Sequence, residues 1–392
     1  MSQQAADWIG TWASAQVQPA ATGPSATGFT DQTVRNIVHT SVGGSQIRIR
    51  ISNVFGKAPL VVSAVHVAIS ASGAATVAGS TTPVLFGGSP SVTVPAGTRQ
   101  FSDPVDLTVA AESNLAVSLY FQAPTGPATW HQDALSTNYY STAGDHSADT
   151  SAAAYTHSVT SWFFLDGVDV VNPAVEAAVV TFGASTTDGV GSTSGAAKRY
   201  PDDLARRLIA LPWGQRLSVL NAGIAGNVLL ADGGTNGQSA LDRFQRDALE
   251  QSGVKTVIIW EGSNDIGAHP SLPLTDLTGA YEQLIAIAHA DGIRVIGATL
   301  QPDKGASYWT PQGALLRAAV NNWILTGGAF DATIDFSTVL ENPADTDALL
   351  PAYDSGDHLH PNNAGYLAMA NAVDLSLLSP AAATKTPTTK TH

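Results

Sequence analysis

The chain contains no cysteine. Disulfides and thiolate metal sites are therefore excluded, and cysteine pairing gives no information about redox compartment. Basic residues are scarce: 18 Lys and Arg stand against 32 Asp and Glu, a formal net charge of −14. With no basic patch to neutralise phosphates, nucleic acid is excluded as a partner, and a polar uncharged or cationic one fits better. No apolar run is long enough to span a bilayer. The opening Met1-Ser-Gln-Gln-Ala-Ala-Asp-Trp8 lacks the basic and apolar regions of a secretory leader. The lysine-poor, Ser/Thr/Gly/Ala-rich composition nonetheless leads us to expect a secreted, extracellular protein whose signal peptide is absent from this sequence.

What is present suffices for two domains with substantial cores: 392 residues, 44% hydrophobic and 13% charged. From about residue 7 to 170, helical periodicity is missing and short alternating runs recur between Gly, Pro, Ser and Asn. Ser45–Asn53 places Ile47, Ile49 and Ile51 on one face and Arg48 and Arg50 on the other, the pattern of a half-buried strand. Leu60–Ile69, Ser91–Val94 and Leu115–Phe121 continue it, with a turn at Pro95-Ala-Gly97. We predict an antiparallel β-sandwich of jelly-roll type over 1–172. Trp8, Trp12, Tyr139, Tyr140, Trp162, Phe163 and Phe164 are expected in its core or along the seam with the next domain. Trp130 and His131 lie in the polar segment Pro127-Ala-Thr-Trp-His-Gln132, where we expect exposure and a substrate-binding role.

From about 173 onward, strands and helices alternate. The strands are read at Val179–Phe182, Leu217–Leu220, Thr256–Trp260, Val295–Thr299 and Ala332–Phe336. The helices are read at Arg199–Ala210, Ala240–Glu250, Leu274–Ala290, Pro311–Ile324 and Asn362–Leu378. Such alternation calls for a parallel sheet with helices on both faces, and we predict a flavodoxin-like three-layer α/β/α domain over 173–380. The Thr/Pro/Lys-rich residues 381–392 are expected to be a disordered tail.

Chemistry-bearing residues fall at strand ends. Val179 runs through an apolar strand into Gly183-Ala-Ser185, and a serine just past a parallel strand sits where open α/β sheets put ligands. Taken alone, Ser185 reads as a helix cap. Two further strands end in Asn221-Ala-Gly-Ile-Ala-Gly-Asn227 and Glu261-Gly-Ser-Asn-Asp265, on the same sheet edge. The backbone N–H groups of Ser185 and Gly226 and the amide of Asn264 would supply three donors for a developing oxyanion. In Tyr353-Asp-Ser-Gly-Asp-His-Leu-His-Pro361, Asp357 and His360 are spaced so that a carboxylate meets Nδ1 while Nε2 faces the serine. A competing reading, a metal site built from Asp357, His358 and His360, leaves Ser185 without a role. His358 is otherwise a neighbour.

These segments, in this order, resemble the SGNH hydrolases, or GDSL esterase/lipase family, over about residues 176 to 378. The family's Gly-Asp-Ser block is matched by Gly183-Ala184-Ser185, its oxyanion glycine by Gly226, its Gly-x-Asn-Asp block by Gly262-Ser-Asn264-Asp265, and its Asp-x-x-His-Pro block by Asp357-His-Leu-His360-Pro361. Ala184 departs from the pattern, standing where the family has an aspartate that braces the nucleophile turn; Asp188 is a candidate replacement. Trp8-Ile-Gly-Thr-Trp12 and Trp162-Phe-Phe-Leu-Asp-Gly-Val-Asp169 look like those of extracellular two-domain esterases, some acting on acetylated plant polysaccharides.

The resemblance implies a serine esterase without cofactor or metal, with Ser185, His360 and Asp357 catalytic and a short-chain ester or acetylated polysaccharide as substrate. Two other readings use the same sequence: a carbohydrate-binding protein with a decayed esterase site, and an acyltransferase with the same triad.

Overall fold

The computed structural model describes residues 7–379, so the tail expected over 381–392 lies outside the described residues. Before residue 172 the main sheets are antiparallel. One contains, in spatial order, Trp8–Ala13, Leu165–Val171, Ile47–Ser52 and Arg99–Phe101. The other runs His157–Val159, Asn138–Ala143, Gln32–His39, Asn114–Phe121, Ala64–Ile69 and Thr82–Pro83. Ile47, Ile49 and Ile51 are fully buried, as the alternation predicts. Aromatic rings fill the same core: Trp12 meets Trp162 edge-on at 5.0 Å, and Phe29 meets Phe163 likewise at 5.0 Å.

The charged side of Ile47–Ser52 departs from a solvent face. Arg50 Nε lies 2.7 Å from Asp166 Oδ1, and Arg48 Nη2 lies 2.8 Å from Asp169 Oδ2. Both guanidiniums also reach the second half of the chain, Arg50 donating to Gln251 Oε1 and Arg48 to Ser252 Oγ, each at 3.1 Å. The alternation is real, but the α/β half docks on the polar side. Burial of the arginines is tolerable because each meets a carboxylate.

After residue 172 a five-stranded parallel sheet has the order Arg216–Gly223, Val175–Gly183, Val254–Trp260, Arg294–Ala298, Ala332–Ile334. Its first strand in sequence is second in space, which puts the topological switch point between the carboxyl ends of Val175–Gly183 and Val254–Trp260. Val175–Gly183 is buried at every position except Glu176, the continuous apolar pattern of a strand covered on both faces. Helices are not its only cover, since Trp8–Ala13 packs against Arg216–Gly223. A Cβ on Gly10 would come within 2.7 Å of Leu220 Cδ1, and Gly10 N–H donates to Ser252 O at 2.9 Å. One apolar cluster therefore runs from Ile9 and Val168 through Leu220 and Phe182 to Met369.

Helix Leu274–Ala290 occupies its predicted range, and Tyr200–Ile209 starts where the Asp202 carboxylate accepts from Arg199 N–H at 3.0 Å. Among the ends that differ from expectation, two have an identifiable cause. The last strand stops at Ile334 because Asp335 caps the helix Phe336–Leu340, accepting from Thr338 N–H at 3.2 Å. The helix Asn363–Ala372 ends short of Leu378 because Arg207 Nη1 takes the carbonyls of Ala370 and Val373. Among the described residues, no helix is long and apolar enough to cross a membrane.

Candidate active site

Ser185 opens the one-turn helix Ser185–Asp188, directly after the strand that ends at Gly183. The turn is tight: a Cβ on Gly183 would lie 2.2 Å from Thr187 Oγ1 and 2.4 Å from Trp260 O, so only glycine fits there. The serine thus stands at the switch point rather than capping a long helix.

The segment 353–361 brings its histidine to that serine. His360 Nε2 lies 2.8 Å from Ser185 Oγ, and His360 Nδ1 lies 2.6 Å from Asp357 Oδ2. The other oxygen, Asp357 Oδ1, accepts from the N–H groups of His360 (2.8 Å) and Leu359 (3.0 Å) and from Ser355 Oγ (3.1 Å). Burial pushes the Asp357 carboxyl up, but the hydrogen bonds from the His360 ring and from both N–H groups outweigh it and hold the pKa at about 2. An ionised carboxylate only accepts, so Nδ1 carries the proton and Nε2 is free to accept from the serine hydroxyl.

His358 belongs to a second, interleaved pair. Its Nδ1 lies 2.6 Å from Asp354 Oδ2, and its backbone takes a positive φ of 63°. The histidine rings therefore part, one to Asp354 and the other to Ser185. Among the described residues no group of three or more His, Asp and Glu is arranged to hold a metal ion.

Ser185 and Asn264 line one small cleft, walled also by Ala184, Trp260, Gln301 and Tyr308. Asn264 lies in the helix Ser263–Ala268, and its Nδ2 donates to Asn227 O at 2.7 Å. Gly226 is not part of that wall; it adjoins Asn227 in the loop after Arg216–Gly223, with a φ of 76° that glycine adopts without strain. The Gly226 N–H donates to no acceptor among the described residues.

Arg243 organises this edge, and sequence reasoning missed it. Its guanidinium is fully buried, stacks on the Phe182 ring at 4.0 Å, and donates to Asn227 Oδ1 (2.8 Å), Ala222 O (2.8 Å) and Gly183 O (3.0 Å). It also lies 3.3 Å from Glu261 Oε1, so one side chain joins the ends of three neighbouring strands. Burial pushes the Glu261 carboxyl up to about 8, with the Arg243 cation pulling the other way. The available signal was helical spacing: Arg243 follows Ala240 by three and precedes Asp247 by four, on the face that buries Phe244 and Ala248.

Two sequence expectations are corrected. Trp130 and His131 are only 9% and 2% exposed, so neither offers a face to a sugar ring. They form a two-residue strand paired with Trp162–Phe163 that turns both inward. Trp130 Nε1 donates to Gln18 O at 2.7 Å, and His131 sits between Ala15 O and Asp188. Asp188 likewise does not reach back to Ser185 in place of the aspartate missing at Ala184. Its oxygens go to His131 Nε2 (3.1 Å) and to the N–H of Ala225 (3.0 Å).

A 2-1-3-4-5 parallel sheet with a histidine-linked serine at its switch point is the architecture of an α/β/α hydrolase. Residues 181–368 match the GDSL-like Lipase/Acylhydrolase family. The protein is accordingly an esterase or acylhydrolase, a hydrolase of carboxylic esters. Similar solved structures include a lipolytic protein of the G-D-S-L family from Desulfitobacterium hafniense (21% identity, 52% of this chain and 99% of that one, TM-score 0.40). A lipase/acylhydrolase from Enterococcus faecalis gives 22% identity over 51% of this chain and 93% of that one, TM-score 0.39. A carbohydrate acetylesterase family member from Sinorhizobium meliloti gives 13%, 50% and 94%, TM-score 0.38. No curated protein gives a significant match.

Proposed function

We propose that this ester hydrolase works through an acyl-enzyme on Ser185, with His360 as general base and acid and Asp357 as its orienting carboxylate. The observation that carries this reading is the unbroken chain from Asp357 Oδ2 to His360 Nδ1 (2.6 Å) and from His360 Nε2 to Ser185 Oγ (2.8 Å). As Ser185 Oγ attacks the ester carbonyl carbon, its proton passes to His360 Nε2. The resulting imidazolium is stabilised by Asp357 and then protonates the departing alcohol oxygen. Water attacks the acyl-enzyme by the same route and releases the acid and free Ser185. The N–H groups of Ser185 and Gly226 and the amide of Asn264 are the oxyanion donors in this scheme.

The acyl group is short. The support for this is that the cleft beside Ser185 is small and has Tyr308 and Leu359 in its lining. Acetyl esters on plant polysaccharides fit a small acyl pocket and an extracellular setting, the latter in keeping with the lysine-poor composition. A fluorophosphonate probe followed by peptide mass spectrometry should label Ser185; labelling elsewhere, or full activity in Ser185→Ala, overturns the mechanism. Acetate release from acetylated xylan and pectin, set against p-nitrophenyl esters of increasing chain length, tests the substrate class. A preference for octanoate over acetate contradicts it.

A further inference from the structure

His131 belongs to the antiparallel half of the chain, yet its ring ends 3.1 Å from Asp188, in the turn that carries Ser185. Both side chains are 3% exposed. The neighbour of Nδ1 is the Ala15 carbonyl at 2.6 Å, which can only accept. Nδ1 therefore donates. Asp188 meets two groups, with Oδ1 3.1 Å from His131 Nε2 and Oδ2 accepting from the N–H of Ala225 at 3.0 Å. Both ring nitrogens are thus held, Nδ1 by Ala15 O and Nε2 by Asp188. Burial works against the charged ring, but the adjacent Asp188 charge and hydrogen bond outweigh it and raise the His131 pKa.

The same carboxylate joins two parts of the active site. Asp188 N–H donates to Ala184 O at 2.9 Å, and Thr187 O accepts from Asn221 Nδ2 at 2.8 Å, so the nucleophile turn and the loop 221–227 are already laced together. The bond from Ala225 to Asp188 Oδ2 then fixes the residue directly before Gly226. Without the His131 ring, the buried Asp188 side chain would lose the partner that fixes its Oδ1, and water or a rotated carboxyl would loosen its hold on Ala225.

We infer that His131 is a positioning residue for the esterase: acting through Asp188 and Ala225, it holds the loop that presents the Gly226 N–H to the reacting carbonyl oxygen. The antiparallel half is then part of the catalytic apparatus rather than a separable module. This rests on the proposed role of Gly226 as an oxyanion donor.

The test uses the full chain and compares p-nitrophenyl acetate with its thionoester, whose thiocarbonyl sulfur is a poor ligand for an oxyanion site. Misfolding lowers both rates alike, whereas a displaced donor lowers only the preference for oxygen. His131→Leu is expected to reduce kcat for the oxo ester by about 10- to 100-fold with KM little changed, and to shrink the oxo-to-thiono ratio of kcat/KM by roughly fivefold or more. Asp188→Asn, which keeps an oxygen for Ala225 and an amide for the ring, is expected to hold the ratio close to that of the wild type. If His131→Leu does not accumulate as folded protein, Asp188→Ala carries the same comparison, because the histidine can then shed its proton and leave no buried charge. Unchanged kcat in His131→Leu, or oxo and thiono rates falling in proportion, overturns the inference. Separate controls address the underlying reading: activity in Ser185→Ala overturns the serine mechanism, and a wild-type enzyme without preference for the oxo ester overturns the oxyanion role. With both controls as expected, an unmoved His131→Leu overturns the His131 link alone.

Discussion

His360 Nε2 lies 2.8 Å from Ser185 Oγ, although the two residues are 175 positions apart. In the proposed mechanism the histidine takes the hydroxyl proton and the hydroxyl depends on that base. Ser185→Ala and His360→Ala should each lower kcat by about 10⁴- to 10⁶-fold, and the double variant should be little worse than either, since members of one catalytic unit are not additive. Initial rates with p-nitrophenyl acetate check this; independent effects that multiply would contradict a shared role.

Asp357 makes an acid-side prediction. Its folded pKa is depressed to about 2, so it contributes stability that is full above the unfolded value and is lost as pH falls through the folded one. Its side chain is 49% exposed, and solvent screening keeps the contribution under roughly 1 kcal/mol. The Tm advantage of wild type over Asp357→Asn should therefore be level from about pH 6 to pH 5 and narrow from about pH 4 downward. Thermal unfolding across that range is the measurement, and a gap that widens in acid refutes the assignment.

Asn264 lines the cleft beside Ser185 with one amide hydrogen given to Asn227 O at 2.7 Å, and its other hydrogen is the proposed oxyanion donor. Replacing it with alanine should lower kcat by about 10²- to 10³-fold while KM moves little, the signature of an interaction made only in the transition state. Steady-state kinetics decide it; a pure KM effect would reassign Asn264 to substrate binding.

Arg243→Met removes the donor shared by Gly183 O, Ala222 O and Asn227 Oδ1 and leaves Glu261 and Asp247 without their buried cation. A loss of about 3 to 5 kcal/mol is expected, because the partners keep the desolvation penalty. Urea unfolding gives the value directly. A change below about 1 kcal/mol would mean that water or Arg246 takes over its contacts.

Tyr308 bounds the cleft beside Ser185, and its hydroxyl is buried without a hydrogen-bond partner. Tyr308→Ala should open the acyl side and move the preferred p-nitrophenyl ester from acetate towards butyrate or hexanoate. An unaltered chain-length profile would place the acyl group elsewhere.

Much of this site was legible because its residues sit beside strand ends. Gly183 to Ser185, Gly262 to Asp265 and Asp357 to Pro361 are short blocks in which order and spacing carry the information, and a parallel sheet gathers strand ends on one edge whatever the intervening lengths. Illegible were contacts made by single residues from afar. Arg243 reads as an ordinary helix arginine until the helix face is known, and Trp130 and His131 read as exposed because their sequence neighbours are polar. Ala184 was recognised as a departure, but where Asp188 points depends on His131, 57 residues earlier in the chain.

The amino-acid sequence by itself determined the class of each half, since periodicity of two or of 3.6 is a local property of the chain. It also determined the identity and order of the candidate nucleophile, base and carboxylate. Only the tertiary structure decided that the halves share one core, that Arg48 and Arg50 face protein instead of solvent, and that a histidine from the antiparallel half stands behind the nucleophile turn. The reason is physical: local pattern says which side of a strand is apolar, but what lies against its polar side is set by docking, where buried charges persist only if distant partners meet them.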